Sequence, residues 1–155
     1  MIQIKFKFVD LHRPTHTPVR GSLGAAAFDL YYGDLKQGIR LEPHSTKRVK
    51  TNLAIEIPKD YYGQIETRSS TASKGIYITG GIIDSDYRGE IEVILNTTKD
   101  SLSLIPGDKI AQLIIHRIPD VLFVEVNELS ETERGFGGFG STNIDYGALG
   151  YTPFF

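Results

Sequence analysis

The stretch GGIIDSDYRGEIEVI, from Gly80 to Ile94, groups reactive side chains that a strand does not need for packing alone. Gly80 and Gly81 let a backbone approach a flat ligand closely. Asp84 and Asp86 point the same way along a strand, with Tyr87 and Arg88 adjacent. A carboxylate beside an aromatic ring can activate a water over a sugar. The plainer reading of the same residues is an acidic turn leading into the strand EIEVI.

Two further stretches carry a different chemistry. In GQIETRSSTASKG, Gly63 to Gly75, Arg68 and Ser69 end a strand and open a short helix. Amides at a helix start, a hydroxyl and a guanidinium together make an anion site. An N-capped turn with a solvated arginine would use the same residues. In RGFGGFGST, Arg134 offers a guanidinium fork, and Ser141 and Thr142 offer hydroxyls, a set suited to a terminal phosphate. Phe139 supplies a face for stacking on a base. Glycines such as Gly140 let the segment fold over a ligand at an ordering cost. Standing alone, it reads better as a disordered tail.

Other motifs fall away. Gly135, Gly137 and Gly140 spell the G-x-G-x-x-G dinucleotide fingerprint, but that fingerprint needs a strand before it and a helix after it. Only 15 residues follow Gly140, with nothing helical among them. His12 and His16 would share a helix face, yet Pro14 lies between them. His44 and His116 are isolated, so no histidine metal site is expected. No G-x-S-x-G elbow supports a serine triad. The absence of cysteine excludes disulfides and thiolate metal sites.

The elements that must position these groups are strands. In IQIKFKFV, Ile2, Ile4, Phe6 and Phe8 alternate with Gln3, Lys5 and Lys7. TKRVKTNLAIEIP, GEIEVILNT, KIAQLIIHRI and VLFVEV read as further strands rich in β-branched residues. Turn signals separate them, and only SSTASK, Ser69 to Lys74, suits a helix of a turn or two. Many short strands with such turns predict an all-β sandwich or barrel. The expected organisation is one domain, with a β core over 1–131 and a glycine-rich arm over 132–155. The net charge of −2 gives no bulk reason to expect nucleic acid. The N-terminus lacks the apolar block of a signal peptide, and no apolar run approaches the roughly 18–20 residues of a membrane span. The sequon at Asn96-Thr97-Thr98 is therefore read as coincidence. An intracellular soluble domain is expected, with no nucleic-acid or membrane partner.

Taken in order, the segments resemble the trimeric dUTPase family. AAAFDLY (Ala25 to Tyr31), TRSSTASKG, GGIIDSDYRG, PGDKIAQLI (Pro106 to Ile114) and RGFGGFGST are similar to its five motifs, and they span most of the chain. The resemblance implies a jelly-roll-like β subunit and a homotrimer with three active sites at subunit interfaces. It implies hydrolysis of dUTP to dUMP and pyrophosphate with Mg²⁺ held by phosphates and water rather than by direct protein ligands. By the same resemblance, Asp84 would deprotonate the water that attacks the α-phosphorus, and Tyr87 would pack under the deoxyribose and leave no room for a 2′-hydroxyl. The backbone around Gly80, Gly81 and Ile82 would read the uracil edge. Arg68, Ser69, Ser70 and Gln112 would hold phosphates, and Asp29 would support the site near the metal and its waters. Arg134, Ser141 and Thr142 would grip the γ-phosphate while Phe139 stacks on the base.

The chain also departs from that pattern. The second motif usually reads R-S-G followed by an apolar residue, whereas Ser70 and Thr71 stand there. A side chain at Ser70 would crowd a backbone–phosphate approach. Some members carry an asparagine six residues before the catalytic acid, a place taken here by Ile78. The tail 143–155 is long for the family and is a candidate for docking on a neighbouring subunit or a partner protein. Two alternatives share the fold: a dCTP deaminase, and a nucleotide-binding regulator acting through a partner. The carboxylate–tyrosine pair and the phenylalanine-containing arm favour water attack at phosphorus over chemistry at the pyrimidine ring.

Overall fold

A computed structural model describes residues 1–34 and 38–138, and the chain divides into two units, Met1–Asp120 and Val121–Phe155. Among the described residues the first unit holds every strand: β1 Lys5–Phe8, β2 Val19–Arg20, β3 Phe28–Tyr31, β4 Ile39–Leu41, β5 Thr46–Lys50, β6 Leu53–Glu56, β7 Tyr61–Glu66, β8 Ile76–Ile78, β9 Ile82–Ile83, β10 Glu92–Thr97, β11 Leu102–Leu104 and β12 Lys109–Arg117. Among the described residues one helix, α1, covers Ser69–Ala72. The largest sheet runs β2-β3-β12-β7-β9, and the others are β5-β10-β8, β1-β6 and β11-β4. Every ladder is antiparallel. The fold is all-β, as the strand-and-turn pattern predicts, and jelly-roll-like, as the family resemblance implies.

Alternation explains the core. In and just before β10, Ile91, Val93 and Leu95 are fully buried while Glu92 and Ile94 sit on the other face. Burying each such side chain contributes about 1.5–3 kcal/mol, so this one strand anchors much of the interior. Leu30, Ile65 and Leu113 extend the core across β3, β7 and β12. The buried glycine of β7, Gly63, is tightly packed: a Cβ there would lie 3.0 Å from Leu113 and 3.2 Å from Ile57, so both side chains would have to give.

Two expectations need correction. TKRVKTNLAIEIP is not one strand but two, broken at Thr51-Asn52. Asn52 takes φ 60°, a left-handed conformation that asparagine tolerates, and its side chain accepts from the Asp10 amide and donates to the Asp10 and Pro14 carbonyls. The run VLFVEV forms no strand. A strand exists only where a neighbouring ladder accepts its amides and carbonyls, and 121–126 pairs with nothing among the described residues. Leu122 and Phe123 are 84% and 95% exposed. Later in this second unit a turn forms in which Arg134 Nε donates to the Gly137 carbonyl at 2.8 Å. Among the described residues no helix is long and apolar enough to cross a membrane.

Candidate active site

The five-stranded sheet brings the first, second and fourth motifs together. Asp29 on β3 stands opposite Gln112 on β12, which in turn stands opposite Glu66 on β7, just before Arg68. The Asp29 carboxylate, only 12% exposed, takes Arg68 Nε at 3.1 Å on one oxygen and Lys109 Nζ at 2.7 Å on the other. Gln112 donates to the Thr67 carbonyl at 3.0 Å and so fixes the strand end from which Arg68 springs. Arg68 is extended (φ −73°, ψ 143°) and caps α1, where the helix engages its own backbone from Thr71 onward. Ser69 opens this helix and Ser70 follows.

Of these groups, Arg68, Ser70 and Lys109 border a cleft of about 460 Å³ lined also by Thr71, Lys74, Ser103 and Asp108 together with apolar neighbours; Ser69 and Gln112 are not among its lining residues. Counting Asp29 behind it, three cations face two carboxylates. The surplus positive charge suits a phosphate chain. Ser70 lies in α1, outside the left-handed region, so the backbone there does not demand glycine. Its side chain is exposed at the cleft.

Lys109 is the residue that sequence alternation misses. Counting by twos from Gln112 sends it to the opposite face of β12. A bulge between Lys109 and Ala111 shifts the register, so that Ile110 and Ala111 are both buried and Lys109 turns toward Asp29. A bulge leaves no mark in hydrophobic periodicity.

The third motif lines a second cleft. Residues Arg48, Ile82, Ile83, Asp84, Tyr87, Glu90, Glu92 and Ile94 enclose about 330 Å³. Asp84 follows β9 and opens a turn in which the Tyr87 amide donates to the Asp84 carbonyl at 3.2 Å. The expected strand-like alignment of Asp84 with Asp86 is therefore replaced by a turn. Asp84 is exposed, and its carboxylate has no hydrogen-bond or ion-pair partner among the described residues. This cleft is rich in carboxylates, with Arg48 paired to Glu92 at 3.4 Å. Before it, Gly80 and Gly81 take φ +70° and +93°. A Cβ on Gly81 would stand 2.8 Å from the Ile65 carbonyl oxygen, whereas one on Gly80 would meet only Ile94 at 3.5 Å. Gly81→Ala should therefore cost about 2–3 kcal/mol of stability and Gly80→Ala about 1–2, measured by denaturant unfolding. Equal losses would mean that the Ile65 contact relaxes freely.

The two clefts share no lining residue. Gly63 pairs with Ile83, so Asp84 falls opposite Tyr62, roughly six residues or about 20 Å along an extended strand from Arg68. Within one chain the lone carboxylate and the phosphate-type cations face separate spaces. Arg134 belongs to the second unit, and Phe139, Gly140, Ser141, Thr142 and the tail 143–155 lie outside the described residues. No group of three or more histidine, aspartate or glutamate side chains gathers as a metal cage among the described residues. Asp29, already held by two cations, suits contact with metal-bound water better than direct ligation.

Comparison with known proteins gives a consistent picture. The family model described as dUTPase matches residues 13–143. The chain is 42% identical over 139 residues to a deoxyuridine 5′-triphosphate nucleotidohydrolase of cowpox virus, covering 89% of this chain and 92% of that one. It is 46% identical over 132 residues to the protein of the same name from Paramecium bursaria Chlorella virus 1, covering 83% and 90%. The dUTPase of Staphylococcus bacteriophage 80alpha, solved with dUPNHPP, superposes with a TM-score of 0.81 at 25% identity, covering 92% of this chain and 99% of that one. A dUTPase from phage phi11 of S. aureus, with a TM-score of 0.72, is described with a structural Mg(II) ion.

Proposed function

The chain belongs to the dUTPase family, and on that premise we propose how its residues hydrolyse dUTP to dUMP and pyrophosphate. The water loses a proton to Asp84 and its oxygen bonds to the α-phosphorus in line with the departing pyrophosphate. The bond from the α-phosphorus to the bridging oxygen breaks, and its electron pair leaves with pyrophosphate. Arg68, Ser69, Ser70 and Gln112 hold the phosphates, and Lys109 joins them from the cleft it shares with Arg68 and Ser70. Tyr87 packs under the deoxyribose, and the backbone at Gly80, Gly81 and Ile82 reads the uracil edge. Arg134, Ser141 and Thr142 close on the γ-phosphate with Phe139 over the base, Gly140 permitting the approach. A Mg²⁺ ion bound with the substrate would supply charge neutralisation, and Asp29, held by Arg68 and Lys109, would orient water near it.

The observation that carries this reading is the division between the two clefts. One is cationic and suited to phosphates, while the other presents Asp84, an acid with no partner among the described residues, beside Tyr87. About 20 Å of strand is long for a triphosphate coiled for in-line attack, which supports acid and cations meeting on one nucleotide from different copies of the chain. A homotrimer satisfies this with three equivalent interfacial sites. The test is incubation with dUTP and with dCTP, with and without Mg²⁺. Pyrophosphate and dUMP from dUTP are expected. Ammonia from dCTP would instead indicate the deaminase, and binding without product would indicate a regulator.

A further inference from the structure

We propose that Arg13 and Glu90 form a positioning strut for Tyr87, and through it govern the discrimination of deoxyribose from ribose. The inference rests on the sugar-packing role given to Tyr87 above. No motif of the sequence points to Arg13, and Glu90 reads there only as the start of a strand.

The Tyr87 hydroxyl donates to the backbone carbonyl of Glu90 at 2.9 Å. Its ring can lie this close only because residue 89 is glycine: a Cβ there would stand 2.4 Å from the hydroxyl and 2.6 Å from Cζ. The ring's place is thus set by where the carbonyl of Glu90 sits.

That carbonyl is held from both sides. The Glu90 carboxylate receives both terminal nitrogens of Arg13, with Nη1 at 3.1 Å from Oε2 and Nη2 on Oε1. The two side chains are 8% and 14% exposed. The same carboxylate also accepts from the amide of Asn52 at 2.8 Å. The next residue, Ile91, is fully buried and exchanges hydrogen bonds with Thr51 and Leu53. Arg13 is itself anchored, since its Nε donates to the Gly33 carbonyl at 2.8 Å. Gly33 is packed against Thr51, where a Cβ would lie 2.4 Å from the Thr51 oxygen, and its amide donates to the Lys50 carbonyl at 2.9 Å. Donating to the Glu90 carboxylate holds the Arg13 guanidinium further toward its charged form.

The chain of contacts therefore runs from Gly33, just after the Asp29 strand, through Arg13 and Glu90 to the Tyr87 hydroxyl. Rejecting one hydroxyl on a sugar demands a surface that does not yield. A tyrosine on an exposed turn, 43% exposed, has no such rigidity of its own. The strut supplies it.

The experiment is a mutant cycle read as the ratio of kcat/KM for dUTP to that for UTP. This ratio is independent of the fraction of enzyme folded, so a purely structural role for the pair would leave it unmoved. Tyr87→Phe keeps the ring and removes the bond to Glu90; it should narrow the ratio by about three- to tenfold, the range one net hydrogen bond supports. Arg13→Lys keeps the charge but cannot bridge both carboxylate oxygens and Gly33. It should narrow the ratio similarly in the parent and hardly at all on top of Tyr87→Phe. Additive effects, or an unchanged ratio in Tyr87→Phe, would overturn the strut. The latter holds even if Arg13→Lys does not fold. Tyr87→Ala separates the two levels of argument. If it narrows the ratio while Tyr87→Phe does not, the strut alone fails; if it leaves the ratio unchanged, the sugar is read elsewhere and both fall.

Discussion

Asp84→Asn should lower turnover on dUTP by about 10²–10⁴, the usual range for removing a general base, while leaving the fold and dUTP binding close to those of the parent. The structural half of this expectation is unusually clean. Asp84 is exposed, and its carboxylate has no partner among the described residues, so asparagine breaks nothing in the chain. The turn it opens depends on the backbone, through Tyr87 N–H to the Asp84 carbonyl, and that bond survives the change. An acid with no internal partner, beside Tyr87 in a carboxylate-rich cleft, is free to act on water. The measurement is steady-state pyrophosphate release together with a direct binding titration using a non-hydrolysable dUTP analogue. Near-normal turnover would remove Asp84 from the mechanism. Loss of binding with unchanged turnover would make it a ligand contact instead.

What could be read from residues alone follows physical lines. Strands whose two faces differ in polarity, such as β10, declare themselves by alternation, and α1 follows from SSTASK between two turn signals. The motif residues were legible because their chemistry is local: a guanidinium, a lone acid, a glycine pair. Features made by register were not. Lys109 reaches Asp29 only because of a bulge, and the break at Asn52 depends on one left-handed residue held by carbonyls from 10 and 14. The Arg13–Glu90 pair joins residues far apart in sequence, and neither partner stands out by type or spacing. VLFVEV shows the opposite failure. Its composition is that of a strand, yet pairing is a property of the neighbour, and no neighbour among the described residues completes it. The separation of the two clefts is likewise a consequence of ladder direction, which no motif encodes.

That separation makes the arm the sharpest test of architecture and mechanism together. Two variants are needed, Asp84→Ala and a chain stopped after Glu133. Both should fold, because the core residues and every strand of the described structure lie within Met1–Asp120. Each alone should be nearly inactive, the first lacking the base and the second lacking Arg134, Phe139, Ser141 and Thr142. Denatured, mixed equally and refolded, they should form mixed closed trimers. The rescue is expected on the condition that each site takes its acid from one copy and its arm from another. A working site then needs an intact acid and an intact arm drawn independently, each with a chance of about one half, so about a quarter of sites should recover. The reading is pyrophosphate release from the mixture against the parent enzyme, with mixed trimers verified by native mass measurement. Recovery near a quarter would also show that an arm works in a site whose acid belongs to another chain. No recovery in verified mixed trimers would mean that acid and arm come from the same chain, and the interfacial arrangement would fail even if the roles of Asp84 and Arg134 survived.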